Sequence, residues 1–398
     1  MEKVSEDGAI DVSNLLAFED ISSGLTLFEQ GDVLFAKITP CMENGKGAYV
    51  ATLPTQYAFG STEFHVLRPS PQVDAKFLYY ATFNPVYRAY AAENMTGAAG
   101  QKRVSSRFLK DTRLFLPETC EQKRIAAYLD ASCRAIDAAM AAKRRQIEVL
   151  DELLNSIIHQ AVTRGINLDT KMKPSGLDWL SEIPEHWQER QIKRMCSLVR
   201  GQFTHRPRND PALYDGPYPF VQTGDITSAK KYIITYSQTL NELGLSASKM
   251  FPRGTLVMSI AANIGDVAIL DFEACFPDSM IGMIPGHKTN LDFLYYLMRA
   301  MKGIMLRSAV LSTQLNLNYV RIGTNFAPFP PKKEQEDIAE YLDAKEQEAL
   351  AVKETLYQQI STLTAYRKSL IHECVTGQRR ITEQDLHNLQ QRMTFDDK

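Results

Sequence analysis

The chain has 398 residues, of which 44% are hydrophobic and 23% are charged, fractions that are ordinary for a globular protein of two or three domains. Its longest apolar runs, such as residues 256–262, are far shorter than the ~20 residues of a membrane span, and residues 1–7 contain no apolar signal core. The formal net charge of −2 excludes a protein that holds nucleic acid by bulk charge alone. We therefore expect a cytoplasmic protein without membrane association, with its scattered cysteines as buried, reduced thiols.

The sequence contains an internal repeat. Residues 121–131 (EQKRIAAYLDA) return as residues 334–344 (EQEDIAEYLDA), and the match continues without a gap to Val162-Thr163 and Val375-Thr376. A constant offset over such a length indicates a duplicated structural unit. The segments before these motifs match more loosely, with residues 28–36 resembling 251–259 and residues 77–80 resembling 293–296. The predicted order is therefore globular unit, long helix, globular unit, long helix.

Each globular unit shows an α/β pattern. Gly31 and Gly254 precede apolar runs that predict buried strands, and the Phe-Leu-Tyr-Tyr motif opens a short helix in each copy. Pro117 and Pro330 end the globular parts. The predicted domains are 1–117, the first long helix 118–165, the second globular domain 166–331, the second long helix 332–378 and a C-terminal tail 379–398.

Apolar residues of the first helical segment alternate in steps of four and three, which is typical of a coiled coil. The second segment keeps an apolar residue at every seventh position, with Glu346, Lys353 and Arg367 at alternate positions, so its seam is narrower and more polar. A single helix of ~43 residues cannot bury such a stripe, and a whole globular unit separates the two copies, so an antiparallel helix pair is easy to form and would hold the globular units at opposite ends. The predicted packing residues are Leu129, Ile136, Ile147, Leu150, Leu154, Ile157, Leu342, Leu356, Ile360, Leu363 and Leu370.

The two globular units differ in length. The second begins at Pro174 and runs about fifty residues before the region that Met1 matches, so the first is expected to be N-terminally shortened. A start codon placed too late, a fragment and a partial silent gene copy all explain this difference.

Motifs of catalysis do not emerge from the sequence. Residues 97–102 lack P-loop spacing, and there is no HExxH and no GxSxG. Residues 84–87 (NPVY) are similar to the loop of DNA amino-methyltransferases but lack its second proline, and no glycine-rich cofactor loop precedes them. The interpretation is a protein that is not an enzyme and holds no metal.

The combined motifs resemble those of the specificity subunit of type I restriction-modification systems. The resemblance rests on residues 179–187 (WLSEIPEHW), residues 221–226 (VQTGDI), the duplicated Glu-Gln-x-x-Ile-Ala-x-Tyr-Leu-Asp after a proline, and the duplicated long helix ending in Ile-His-x-x-Val-Thr. It covers nearly the whole chain, although each motif alone would be weak.

This resemblance implies a non-catalytic reader of double-stranded DNA, with two target-recognition domains that each read half of a split site. The helix pair would set the unread gap and dock two modification subunits, with restriction subunits joining the complex. The cofactors S-adenosylmethionine, ATP and Mg would belong to these partners, and none to this chain.

Base contact requires polar side chains on loops beside a basic surface, with Arg or Lys for guanine and Asn or Gln for adenine. Residues 100–113 and 189–208 are the locally basic stretches. The DNA-contact candidates are Lys37, Thr39, Asn44, Lys46, Gln101, Lys102 and Arg103 in the first unit, and Thr204, Arg206, Arg208, Gln222, Thr223, Lys230, Lys231, Gln314, Asn316 and Asn318 in the second. Three alternatives remain: a truncated inactive or silent copy of such a subunit, a coiled-coil scaffold without DNA readout, and an independent methyltransferase or nuclease.

Overall fold

The computed structural model describes residues 1–21, 24–98, 100–167, 169–261, 263–308 and 319–396. The chain forms two compact units. Unit 1 comprises Met1–Gln146 with Thr355–Lys398, and unit 2 comprises Ile147–Glu354. Each unit therefore contains one globular part and a portion of both long helices.

Unit 1 contains two small antiparallel sheets. One has the strand order β3-β2-β5, and the other pairs β1 with β4. The central strand β2 is buried along its whole length, as its unbroken apolar sequence predicts. The strands are β1 (Thr26–Glu29), β2 (Val33–Ala36), β3 (Gly47–Tyr49), β4 (Tyr57–Gly60) and β5 (Phe64–Leu67).

Three short helices follow these strands, and each begins at a side-chain cap. The caps are Asp74, Asn84 and Ser105, whose side-chain oxygens accept hydrogen bonds from backbone N–H groups of the first turn. The first long helix comes next and ends before Gly165, whose φ of +79° suits a glycine beyond a helix C-terminus. The helices are α1 (Ala75–Phe83), α2 (Pro85–Glu93), α3 (Ser106–Asp111) and α4 (Thr119–Arg164).

Unit 2 is larger and contains a five-stranded sheet of order β11-β15-β14-β17-β9 and a four-stranded sheet of order β12-β10-β16-β13. Two further pairs are β6-β7 and β8-β18. The strands are β6 (Met172–Leu177), β7 (Leu180–Pro184), β8 (Gln188–Gln191), β9 (Cys196–Arg200), β10 (Tyr214–Phe220), β11 (Tyr232–Ile233), β12 (Gln238–Leu240), β13 (Met250–Phe251), β14 (Leu256–Ser259), β15 (Val267–Leu270), β16 (Ala274–Cys275), β17 (Met280–Pro285) and β18 (Phe326–Phe329).

The remaining helices include the second long helix, which runs from unit 2 into unit 1. The segment that we predicted as a C-terminal tail also forms a helix. They are α5 (Thr223–Ser228), α6 (Glu242–Ser246), α7 (Leu291–Ala300), α8 (Lys302–Ser308), α9 (Tyr319–Thr324), α10 (Lys332–Val375) and α11 (Glu383–Asp396). None of the helices in the described ranges is long and apolar enough to cross a membrane.

Within unit 1 the two long helices pack antiparallel. Asp137 forms an ion pair with Arg367 at 3.1 Å, and the Lys143 amine donates a hydrogen bond to the Gln359 side chain at 2.6 Å. Residue numbers increase along α4 and decrease along α10 between these two contacts, as they do in an antiparallel pair. Apolar residues of both helices join one core cluster beneath these contacts. Of the predicted packing residues in this unit, Leu129, Ile136, Leu356 and Leu370 are buried, and Ile360 and Leu363 are half-buried.

Unit 2 repeats this arrangement. Asp151 of α4 forms an ion pair with Lys353 of α10, and Leu154, Leu342 and Ala349 belong to one apolar cluster. The predicted packing residues of this unit divide into Ile147, Leu154 and Leu342, which are buried, and Leu150 and Ile157, which are half-buried.

A buried glutamine connects each long helix to its globular part. Gln122 accepts a hydrogen bond from the backbone N–H of Asp74, the N-cap of α1, at 2.8 Å, and donates to the carbonyl oxygens of Pro117 and Gln72 at 2.8 and 2.9 Å. Its side chain is almost fully buried. The amide therefore satisfies three backbone groups that would otherwise lack partners.

The repeat preserves this contact in unit 2. Gln335 accepts a 2.8 Å hydrogen bond from the N–H of Asn290, the N-cap of α7, and donates to the carbonyl oxygens of Pro330 and Lys288 at 2.9 and 3.2 Å. Both glutamines belong to the duplicated Glu-Gln motif, so the motif encodes an anchor between the long helix and the loop that leads into α1 or α7.

We predict that Gln122→Ala and Gln335→Ala each destabilise the chain by about 2–4 kcal/mol, because each change leaves buried backbone donors and acceptors without partners. Urea unfolding of the single variants measures this loss. Gln146→Ala, at an exposed position on α4, is the matched control and should change stability by less than about 0.5 kcal/mol. Equal unfolding curves for all three variants would contradict the anchoring role.

Candidate nucleic-acid interface

Two loops of unit 1, far apart in sequence, converge on one surface. Thr39 and Lys102 exchange hydrogen bonds, with the Thr39 N–H donating to the Lys102 oxygen at 3.0 Å and the Lys102 N–H donating to Thr39 Oγ1 at 2.9 Å. Ile38 and Arg103 form an isolated β-bridge, and the Val104 N–H donates to the Lys37 oxygen. These pairings bring together the seven candidates predicted for unit 1. We call residues 37–46 and 101–103 the loop-pair surface.

Side chains on the loop-pair surface differ in their solvent exposure and in whether they already have an ion-pair partner. Asn44, Gln101 and Lys102 are exposed, while Lys37 is half-buried. Arg103 is engaged by Glu63, whose carboxylate oxygens lie 2.8 and 3.0 Å from its guanidinium nitrogens, and this contact lowers the pKa of Glu63. The exposed amides and the amine are therefore better placed to meet a ligand than Arg103.

Arg88 holds the turn that carries Asn44 and Lys46. Its guanidinium donates to the carbonyl oxygens of Met42 at 2.9 Å and Thr82 at 2.8 Å, and it lies over the Phe35 ring at 4.5 Å. Burial lowers the pKa of Arg88 to about 10, so the group remains charged at neutral pH. We assign Arg88 a positioning role, which the sequence did not reveal because the residue lies on α2.

A second basic loop lies in unit 2. Arg206 donates to the carbonyl oxygens of Phe203 and His205 at 2.8 and 2.7 Å, and Arg208 forms an ion pair with Asp278. Thr204 is exposed and bonds to the Ala247 oxygen. The predicted residues Thr204, Arg206 and Arg208 thus share one exposed loop whose arginines also serve internal contacts.

Gln222 and Thr223 lie at the start of α5, where both are half-buried. The Gln222 side chain donates to Gln238 at 3.0 Å, and its backbone N–H is capped by Asp225 at 2.7 Å. Lys230 is exposed. The sequence candidates Gln314, Asn316 and Asn318 lie outside the described residues.

Lys231, predicted as a DNA-contact residue on an exposed loop, is mostly buried and paired with carboxylates. Its side chain is only 11% exposed and pairs with Asp292 at 2.8 Å and with Asp343 of α10. The ammonium group also lies 5.1 Å from the centre of the Tyr296 ring. These contacts favour a structural role for Lys231 within unit 2 over contact with DNA.

The structure adds Asn263, which sequence reasoning missed. It is exposed on the loop between β14 and β15, the counterpart of residues 37–46 between β2 and β3. Its amide donates to Thr227 Oγ1 at 2.9 Å, and Thr227 in turn donates to Asp266 at 3.0 Å. Following the repeat from Ala36 to Ser259 would have identified this loop.

Thiols and metal ligands give no separate site in the described part of the chain. No group of three or more His, Cys, Asp or Glu residues is placed there to hold a metal ion. Cys133, Cys196, Cys275 and Cys374 are buried free thiols, and burial raises the pKa of Cys133 to about 11. The prediction of burial was wrong for Cys120, which is exposed in the first turn of α4, and Cys41 is half-buried.

Each unit combines an α/β globular part, which carries polar loops, with portions of the same two long helices. This duplicated architecture defines a class of proteins. The family model for the type I restriction modification DNA specificity domain matches residues 19–149 and 184–362. The matches include parts of both globular regions and most of the chain. The chain belongs to this family.

Curated relatives agree with this assignment, and a solved structure has a similar fold. The chain is 25% identical over 396 residues to a putative type I restriction enzyme MjaX specificity subunit of Methanocaldococcus jannaschii, covering 94% of this chain and 85% of that one. It is 39% identical over 109 residues, or 27% of its length, to the EcoAI specificity subunit of Escherichia coli, but spans only 18% of that protein. Its fold is similar, with a TM-score of 0.72 at 17% identity, to a chain in a study of complex assembly and conformational transition of the type I R-M system, covering 90% of this chain and 85% of that chain.

We predict that His65 makes part of the stability of unit 1 depend on pH. Its ring Nε2 lies 2.8 Å from the Val104 oxygen beside the loop-pair surface, and burial lowers its pKa below the usual value near 6.5. On acidification the unfolded chain binds this proton first, so stability is lost as pH falls from about 6.5 through the folded pKa.

The test is urea unfolding of the chain at pH 7.5 and pH 5.5, together with His65→Gln, which keeps a donor but does not titrate. The variant should lose less stability on acidification than the parent chain. His287→Gln, at an exposed site in unit 2, is the control and should follow the parent. If the parent chain and His65→Gln lost the same stability between pH 7.5 and pH 5.5, His65 would not be a source of the pH dependence.

Proposed function

We propose that the chain recognises a two-part sequence in double-stranded DNA, one half with each unit, as the non-catalytic specificity subunit of a type I restriction-modification complex. The observation that carries this proposal is the convergence of residues 37–46 and 101–103 in unit 1, together with the corresponding Asn263 loop in unit 2. The family match in both halves of the chain supports it and favours DNA readout over a plain scaffold.

The chemistry of the loop-pair surface suits reading of base edges. Asn44 and Gln101 present amides, which pair well with adenine in the major groove, and Lys37 and Lys102 supply charge for phosphates. In unit 2, Asn263 offers the amide, and Arg206 and Arg208 offer the charge. A modest net charge is compatible with this function where partner subunits share the phosphate contacts.

We assign the long helices to docking of two modification subunits and to setting the spacing between half-sites. Val149 and Leu153 lie four residues apart on α4 and are 61% and 53% exposed, and Val352 of α10 is 49% exposed in the same unit. Large apolar groups exposed together on a helix surface are typical of contact sites. S-adenosylmethionine, ATP and Mg would be held by the modification and restriction subunits in the cytoplasm.

The central experiment co-expresses the chain with its modification subunit in a methylation-free host and maps methyladenine across the genome. We predict a split motif with a constant gap. Asn44→Ala should relax the requirement at one position of one half-site, and Asn263→Ala at one position of the other, at a cost of about 1–3 kcal/mol each. A methylated motif without a second half, or relaxation of the same half by both variants, would contradict two-part reading.

Lys102→Ala is the matched control because an amine that contacts phosphate carries no sequence information. It should weaken binding equally for all DNA sequences and reduce, by about one, the slope of the logarithm of the binding constant against the logarithm of the salt concentration. The methylated motif should be unchanged. The double variant Arg206→Ala with Arg208→Ala should also lower the slope of this salt dependence, because it removes two positive charges from the basic loop of unit 2. An unchanged slope would exclude the corresponding loop from the interface.

We also predict that Val149→Glu with Leu153→Glu weakens binding of the modification subunit by about tenfold or more and leaves the unfolding transition unchanged, because both side chains are already exposed. Leu150→Lys with Leu154→Lys should instead lose both stability and docking, since Leu154 belongs to the core of the helix pair. Analytical ultracentrifugation of each variant with the modification subunit measures assembly. Undiminished assembly of both double variants would disprove the docking surface.

A further inference from the structure

The turn that carries Asn263 in unit 2 is closed by its own backbone. The Asn263 carbonyl oxygen accepts a hydrogen bond from the Asp266 N–H at 3.3 Å. The Gly265 N–H donates to the Ser259 carbonyl oxygen at 2.9 Å. Ile264, within the same turn, is buried in the largest apolar cluster of unit 2. The turn therefore fixes the backbone of Asn263 and leaves its side chain exposed.

The side chain of Asn263 is held by Thr227 of α5. The Asn263 amide nitrogen Nδ2 donates to Thr227 Oγ1 at 2.9 Å. The Thr227 hydroxyl has two acceptors within reach, Asp266 Oδ2 at 3.0 Å and the Thr223 carbonyl oxygen at 3.2 Å. The other oxygen of the Asp266 carboxylate pairs with the Lys302 ammonium group at 2.5 Å. Four side chains thus form one hydrogen-bonded chain that runs from Lys302 to Asn263.

A glycine allows Lys302 to approach the turn. Gly265 has a φ of +84°, a conformation that other residues rarely adopt, and a Cβ atom at this position would lie 2.9 Å from Lys302 Cγ. The Lys302 side chain therefore lies against the turn, and its charge is engaged by Asp266. In this position the lysine holds the carboxylate beside Thr227.

These contacts determine which way the Asn263 amide faces. A hydroxyl group carries one hydrogen, and the Asp266 carboxylate and the Thr223 carbonyl oxygen can only accept it. Thr227 Oγ1 must therefore accept a hydrogen bond from its remaining neighbour, and only the nitrogen end of the Asn263 amide can donate one. An amide turned the other way would place its oxygen against a lone pair of Thr227 Oγ1. The nitrogen of Asn263 is thus fixed toward α5.

Asn263 consequently offers one donor and one acceptor to a ligand. Thr227 uses one hydrogen of Nδ2, which leaves the second hydrogen and the oxygen Oδ1, to which no group in the described ranges donates. In the major groove adenine presents a donor at N6 and an acceptor at N7, whereas guanine presents two acceptors. The remaining oxygen and N–H of Asn263 are complementary to adenine and not to guanine.

The exposed amide of unit 1 has no such support. Asn44 is exposed, and its side chain has no hydrogen-bond partner among the described residues. Only its backbone is held, through the N–H that donates to the Pro40 carbonyl oxygen at 2.9 Å. The Asn44 amide can therefore turn either its oxygen or its nitrogen toward a base.

We propose that Thr227 is a positioning residue that makes Asn263 a reader of adenine, and that the pair of Lys302 and Asp266 holds the Thr227 hydroxyl as an acceptor for the amide. This inference rests on the proposed DNA readout and adds the base that unit 2 requires at one position. Because Asn44 lacks a partner of this kind among the described residues, the position that it contacts is read less strictly.

The test measures binding of the chain, in complex with its modification subunit, to four duplexes that differ only at the base pair whose requirement Asn263→Ala relaxes. The unaltered complex should prefer adenine there by about tenfold or more. Thr227→Val keeps the shape of the side chain but removes the hydroxyl, and should reduce the preference for adenine over guanine to about threefold or less. Thr227→Ser retains the hydroxyl and should restore the preference. Replacing that adenine by 7-deazaadenine, which lacks the N7 acceptor, should weaken binding of the unaltered complex but not of Asn263→Ala.

Thr324→Val is the matched control, because this threonine is also exposed in unit 2 and its hydroxyl donates to the Arg321 carbonyl oxygen. It should leave every base preference unchanged. An adenine preference that survives Thr227→Val, or a requirement for another base at this position, would overturn the inference and leave two-part reading intact. An unaltered complex without base preference at any position would overturn the proposed DNA readout and this inference together.

Discussion

The buried glutamine at the start of each long helix is the constraint on which the two units depend. It ties the N-cap of α1 or α7 to the long helix, and a carboxylate two turns later, Asp130 or Asp343, accepts a hydrogen bond from a tyrosine on the same short helix, Tyr80 or Tyr296, at 2.8 and 2.6 Å. Two polar contacts along one helix face fix both the position and the rotation of that helix against its globular part. Between them, Ile125 and Leu129, with Ile338 and Leu342 in the second copy, bury the apolar face. This requirement explains why the Glu-Gln-x-x-Ile-Ala-x-Tyr-Leu-Asp pattern occurs twice.

The positively charged partner of the anchoring carboxylate comes from a different element in each copy of the repeat. In unit 1 the cation beside Asp130 is Lys76 of α1. The corresponding residue in unit 2 is Asp292, which would repel Asp343, and Lys231, the residue before β11, pairs with both carboxylates. An enclosed lysine is tolerated here because two carboxylates and the Tyr296 ring offset its desolvation. Sequence alone grouped Lys231 with the surface lysine Lys230, since neighbouring positions give no information on burial.

Periodicity and the repeat were sufficient to predict the long helices, their antiparallel packing and the α/β character of both units, because those features depend on local pattern and on burial of an apolar stripe. The interface depends on long-range pairing instead. The contact of Thr39 with Lys102 and the bridge of Ile38 to Arg103 join residues that no periodicity relates. Arg88 supports that surface from another element through backbone carbonyls, which leave no trace in the sequence. Asn263 was missed because the repeat is weakest in this loop.

That weakness has a structural reason. The anchors retain their residues, whereas the loops between corresponding strands differ in length, with residues 37–46 between β2 and β3 and only residues 260–266 between β14 and β15. The longer turn uses Arg88 to hold the Met42 carbonyl, while the shorter one is closed locally by Ser259, whose hydroxyl donates to the Ala261 oxygen at 2.6 Å. Loops carried on a rigid scaffold can change sequence and length without disturbing it. A protein built in this way can acquire a new recognition surface in one unit while its helix pair, and any partner that docks on the helices, is unaffected.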